Sequence, residues 1–95
     1  MGNLFADLLR VQYDADIGLS EGGVLRANKV YPKGPFTLRF VSDVLAWEDE
    51  IVVKRIPGHV LIKILENGIS KYPMYDGRWP VFSGLKFSFD PEKPP

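Results

Sequence analysis

Two hydrophobic periods alternate along this chain. Residues 1–13 place Leu4, Phe5, Leu8, Leu9 and Tyr13 on one helical stripe, with Asn3, Asp7 and Arg10 opposite. That spacing predicts an amphipathic helix packed on something apolar. Asp14-Ala15 ends it, and Asp16–Ser20 reads as a short strand by its apolar content and glycine boundary. Glu21–Arg26 is then a double-glycine turn that delivers an arginine. Residues 27–35 are irregular because Pro32, Gly34 and Pro35 interrupt any regular element, with Val30 and Tyr31 expected to anchor the loop on the core. Thr37 is placed to cap a short helix through Leu38, Val41, Val44 and Leu45. After a break over Ala46–Glu50, the continuous run Ile51-Val52-Val53 predicts a central strand over Ile51–Ile56. Pro57 suits the first turn of a third helix, running to about Ser70 and burying Val60, Leu61, Ile64, Leu65 and Ile69. Lys71–Pro80 is a loop in which Trp79 pins the chain. Phe82–Asp90 alternates as a half-buried strand does, with Leu85, Phe87 and Phe89 on one face. The proline-rich tail Pro91–Pro95 cannot continue a sheet and is expected to be flexible.

The resulting order, α, β, α, β, α, β, predicts an α+β (mixed α/β) fold with helices on a small mixed sheet and a thin core. A length of 95 residues makes this one small domain or part of a larger one, and the 45% apolar share favours a packed core over disorder. Twelve basic and twelve acidic residues cancel and are mixed along the chain, so no nucleic-acid footprint or basic membrane-binding face is evident. The apolar runs are too short for a membrane span. With no cysteine, neither a disulfide framework nor a thiolate metal site can form.

The residues that carry chemistry elsewhere are isolated here. His59, the single histidine, stands at a helix start without a second ligand or an orienting carboxylate, and is expected to face solvent. Glu48, Asp49 and Glu50 form an acidic run without calcium-loop spacing. Ser20 and Ser83 lack an adjacent base, and no Gly-x-Ser-x-Gly elbow or Walker-type loop occurs. No reaction can be assembled from these residues, and neither a catalytic nor a metal site is predicted. Two features fit a binding site better. Gly22-Gly23 is either an ordinary connection followed by a surface arginine or a turn that lets the backbone come close to a ligand, where Arg26 can fork onto a phosphate or carboxylate. Trp47, in a polar loop, can cover the core edge or stack on a flat ligand.

Five blocks then match one family in order. Met1-Gly2-Asn3-Leu4-Phe5-Ala6-Asp7 is similar to L-G-N-L-I-A-D. Ala15-Asp16-Ile17 with Glu21-Gly22-Gly23-Val24-Leu25-Arg26 is similar to A-D-I-A-L-x-N-G-G-x-I-R. Leu45-Ala46-Trp47-Glu48-Asp49 resembles L-P-F-x-N, and Val53–Gly58 resembles V-x-x-L-T-G. Gly77–Leu85 is close to G-R-F-P-Q-V-S-G-L. In this the chain resembles the C-terminal domain of the 5'-nucleotidase family, which includes ecto-5'-nucleotidases, UDP-sugar hydrolases and 2',3'-cyclic-nucleotide phosphodiesterases. The likeness covers nearly the whole chain and corresponds to the first half of that domain.

The resemblance implies a layered αββα unit that binds the nucleoside part of a nucleotide, while a separate N-terminal metallophosphoesterase domain holds two metal ions and hydrolyses the phosphate ester. It implies that Arg26 meets anionic or ribose oxygens, that Trp47 is one of two rings sandwiching the base, and that Gly22 and Gly23 let the backbone approach it. Glu21 and Asp49 stand where the family carries asparagines, and Ala46 where it carries proline. An ionised carboxylate accepts hydrogen bonds only and repels a phosphate. Substrate-binding candidates are therefore Glu21, Gly22, Gly23, Arg26, Trp47 and Asp49. The divalent metals, their domain and the second aromatic segment are expected outside this chain, which alone should be catalytically silent. The alternative is a non-catalytic interaction module that kept the scaffold and lost nucleotide binding. Either way, a half-domain with uncovered strand edges should self-associate.

Overall fold

The computed structural model describes residues 1–94. Three helices pack on a two-stranded sheet: α1 (Gly2–Gln12), β1 (Gly18–Glu21), α2 (Leu38–Val44), α3 (Gly58–Ile69) and β2 (Pro80–Ser83). This is an α+β fold. The strands are antiparallel, with Gly18 opposite Ser83, Leu19 opposite Phe82, Ser20 opposite Val81 and Glu21 opposite Pro80. The sheet expected to be mixed is thus purely antiparallel over the described residues.

Small residues set the layer spacing. A Cβ at Gly18 would stand 2.2 Å from the Ala6 carbonyl oxygen, so α1 lies directly on β1, and Ala6 is fully buried there. At the other end, Gly68 of α3 meets the Pro80 ring. Ser83 ties the same layers through polar atoms. Its hydroxyl accepts from Arg10 Nε at 2.8 Å and donates to Asp7 Oδ1, joining two turns of α1 to β2. Among the described residues the buried core side chains are Ala6, Val44 and the Pro80 ring, so the core is small.

Helix α2 starts as its sequence dictates: Phe40 N–H donates to Thr37 Oγ1 at 3.2 Å. Several inward assignments change. The buried side of α1 runs through Phe5, Ala6 and Leu9, leaving Leu4 and Leu8 exposed; on α3, Ile64 is exposed while Val60, Leu61, Leu65 and Ile69 are half-buried. Val30 projects into solvent, whereas Tyr31 anchors its loop, edge-on to Phe40 at 4.3 Å.

Two strand expectations need correction. Ile51–Ile56 forms no strand, and residues 46–56 make no main-chain hydrogen bond among the described residues. A strand requires a neighbour, and β1 and β2 pair with each other instead. The Phe82–Asp90 strand survives only as far as Ser83. Gly84 takes φ of 85°, open to glycine at no steric cost, and turns the chain off the sheet. The alternation beyond it still sorts burial: Leu85, Phe87 and Phe89 are half-buried while Lys86, Ser88 and Asp90 are exposed. Phe89 packs edge-on against Tyr72 at 5.2 Å and against Trp79 at 6.3 Å, which pins the 71–80 loop. The proline-rich tail runs past the described residues at Pro95, and at its start Asp90, the residue before it, accepts from Glu92 N–H at 3.1 Å.

Candidate functional site

Strand β1 ends in a single 3-10 turn, Gly22–Val24, closed by Leu25 N–H donating to the Gly22 carbonyl at 3.1 Å. The chain then pairs once with the end of α2. Leu25 and Leu45 form an isolated antiparallel bridge, and Arg26 N–H donates to the Val44 carbonyl at 2.8 Å. This staple brings Arg26 and Trp47 together. The guanidinium carbon lies 4.7 Å from the centroid of the Trp47 ring, well within cation–π range. Trp47 is 50% exposed, so the ring keeps open surface beyond the guanidinium. The Arg26 side chain makes no hydrogen bond or ion pair with the described residues, leaving its N–H edge for a ligand.

The two glycines have a different immediate role. Gly22 N–H donates to the Trp79 carbonyl and Gly23 N–H to the Gly77 carbonyl, each at 2.8 Å. A Cβ on Gly23 would come within 3.1 Å of Gly77 Cα. Their small size therefore admits the 77–79 loop, and both N–H groups are already satisfied. Asp76 stiffens that loop. Its carboxylate accepts from Arg78 N–H at 3.0 Å and from Arg78 Nε at 2.8 Å. These bonds, the backbone one foremost, hold its carboxyl below the ordinary 3.8.

Glu21 and Asp49 are both exposed and neither forms an ion pair with Arg26 among the described residues. Arg26 and Trp47 are thus the predicted pair that the fold brings into contact. Lys29 is the neighbour that sequence reasoning passed over. It lines an open cavity of about 690 Å³ together with Arg26 and Asn28. Its Nζ lies 3.3 Å from Asp43 Oδ2 and 4.8 Å from the Tyr31 ring centroid. The turn that aims it uses left-handed backbone at Ala27 and Asn28, with φ of 89° and 43°; asparagine favours that region, alanine does not. Asn28 was the available signal, within a loop read only as irregular.

A second groove of about 400 Å³ lies between α3 and the 87–89 segment, lined by Ile62, Leu65, Ile69, Tyr72, Phe87 and Phe89. None of the predicted site residues reaches it. His59 is exposed at the start of α3. Among the described residues no group of three His, Cys, Asp or Glu side chains converges on a metal-sized site. No helix among the described residues is long and apolar enough to cross a membrane.

Comparison with known proteins agrees with the block pattern. The family model described as "5'-nucleotidase, C-terminal domain" matches residues 1–95. Protein 5NUC of Lutzomyia longipalpis is 33% identical over 82 residues, covering 81% of this chain and 14% of that protein. The chain therefore matches about a seventh of that relative's length. No solved structure matches. Motif order, the match over residues 1–95 and this relative together show that the chain belongs to the 5'-nucleotidase C-terminal domain family.

Proposed function

We propose that this chain contributes the nucleoside-binding surface of a 5'-nucleotidase-like phosphohydrolase, with ester hydrolysis performed by a metal-holding domain outside these residues. The observation that carries the reading is Arg26, with its guanidinium carbon 4.7 Å from the Trp47 ring centroid and no acceptor for its N–H groups among the described residues. Held this way, the guanidinium offers donors to ribose or phosphate oxygens. The open surface of the indole offers a stacking plane to a base, a contact of about 1–3 kcal/mol. In a titration calorimeter, adenosine and AMP should bind, and Arg26→Ala or Trp47→Ala should each weaken AMP about tenfold or more. No heat at ~1 mM AMP would remove the proposal, since that sets binding weaker than about 4 kcal/mol. Supplied with Mg²⁺, Mn²⁺ or Zn²⁺, the chain alone should release no phosphate above a buffer control.

A second reading has its own support. Glu21 and Asp49 put exposed carboxylates where acceptor-only groups hinder an anionic ligand, and the Gly22 and Gly23 N–H groups are already bonded. A non-catalytic interaction module would keep the staple and show no nucleotide binding. Self-association accompanies either reading. The accessible surface, 8015 Å², exceeds the roughly 5,500 Å² expected of a compact monomer of this mass.

A further inference from the structure

The loop after Arg26 carries a second cation, Lys29, whose placement is built rather than incidental. Ala27 and Asn28 take consecutive left-handed backbone, with φ of 89° and 43°, a conformation in which an alanine is strained. This turn leaves Arg26 and Lys29 lining one cavity of about 690 Å³. Helix α2 then fixes where the Lys29 ammonium sits. Its Nζ lies 3.3 Å from Asp43 Oδ2 and 4.8 Å from the Tyr31 ring centroid, within cation–π range. The Tyr31 hydroxyl reaches the same carboxylate oxygen at 3.5 Å, and its ring is edge-on to Phe40. Phe40 and Asp43 belong to α2, whose last residue, Val44, accepts from Arg26 N–H. One short helix thus positions both cations, through contacts that all lie between residues 26 and 44.

We propose that Lys29 binds the phosphate of a nucleoside phosphate held at Arg26 and Trp47, and so sets the preference for nucleotide over nucleoside. This rests on the nucleoside-binding reading above and assigns its anion contact. The two cations differ in shape. The Arg26 guanidinium, beside the indole, presents a planar fork, whereas an ammonium is a compact point charge that suits a phosphate oxygen. An ammonium carries three donors; Asp43 accepts from one, which leaves donors for a ligand. The charge pattern agrees. Arg26 and Lys29 are the charged residues among those lining the cavity, and Glu21 and Asp49, the carboxylates that repel a phosphate, do not line it. Asp43 offsets the Lys29 charge but not that of Arg26, so the cavity keeps a net positive charge. A nucleotide seated with its base on Trp47 and its phosphate toward Lys29 therefore holds its anion away from both acids.

Titration calorimetry of the 95-residue chain with AMP and with adenosine tests the assignment. The parent should bind AMP about tenfold more tightly than adenosine, by a margin that shrinks as salt screens the charges. Lys29→Gln should bring AMP down to the affinity of adenosine, and Lys29→Arg should keep most of the preference. Adenosine, which lacks the phosphate, is the control for the fold of the loop: a variant that merely collapsed the turn would misplace Arg26 and weaken both ligands together. Arg26→Ala should do that, weakening adenosine as well as AMP. A parent that binds the two ligands equally overturns the role of Lys29 and leaves the nucleoside-binding reading standing. So does a Lys29→Gln variant that keeps the AMP preference or loses both ligands in parallel. A parent that binds neither ligand at ~1 mM overturns both.

Discussion

Ser83 shows how one side chain can hold two layers together. It is 6% exposed, and its hydroxyl stands between Arg10 and Asp7. Removing the oxygen leaves both charged groups without this contact at the α1–β2 seam. Ser83→Ala should therefore cost about 1–2 kcal/mol in urea unfolding, with little effect on any ligand at Arg26. The residue types involved were visible in the sequence, but their meeting was not. Asp7 and Arg10 fall on the polar side of the helix, and Ser83 has no adjacent base or motif to single it out. Side chains more than seventy positions apart carry no local signal of contact. The Arg26–Trp47 pair was more legible, because its two motifs lie in family register. Even so, the placing of the guanidinium over the indole is a product of the Leu25–Leu45 bridge.

At the scale of elements, the close approach of α1 to β1 is the tightest constraint. Any side chain at Gly18 meets the Ala6 carbonyl, a backbone group that cannot rotate away. Gly18→Ala should destabilise by about 3 kcal/mol, seen as a lower urea midpoint and loss of the resolved amide spectrum. The three helices were legible from apolar spacing, the Thr37 cap and Pro57, because these are local devices. Strand content was less so. Ile51–Ile56 has strand composition without a partner, and Phe82–Asp90 has strand alternation that Gly84 diverts from pairing after Ser83. Hydrophobic pattern reports which side is buried; hydrogen-bond pairing depends on what lies alongside.

For the molecule as a whole, surface outweighs core. A radius of gyration of 14.7 Å compares with about 12 Å for a compact domain of this length. Among the described residues Ala6, Val44 and Pro80 are buried, while Leu4, Leu8, Val11, Ile62 and the 51–53 run remain open to solvent. A core of this size stabilises by no more than about 3–5 kcal/mol. Urea unfolding of the dilute chain should therefore give a stability at or below that range. A stability near 10 kcal/mol at low micromolar concentration would contradict it. On that footing, Gly18→Ala removes most of the folding free energy.

The sequence by itself determined the helices, the α+β class and the family, since local periodicity, capping and ordered motifs all reside in consecutive residues. The tertiary structure alone decided that Gly22 and Gly23 receive the 77–79 loop, that Arg26 lies over Trp47, that Lys29 joins the same cavity, and that the most strand-like run of the chain stands unpaired. The reason is common to all four. Each depends on which distant segment occupies the adjacent space, and no window along the chain contains that information.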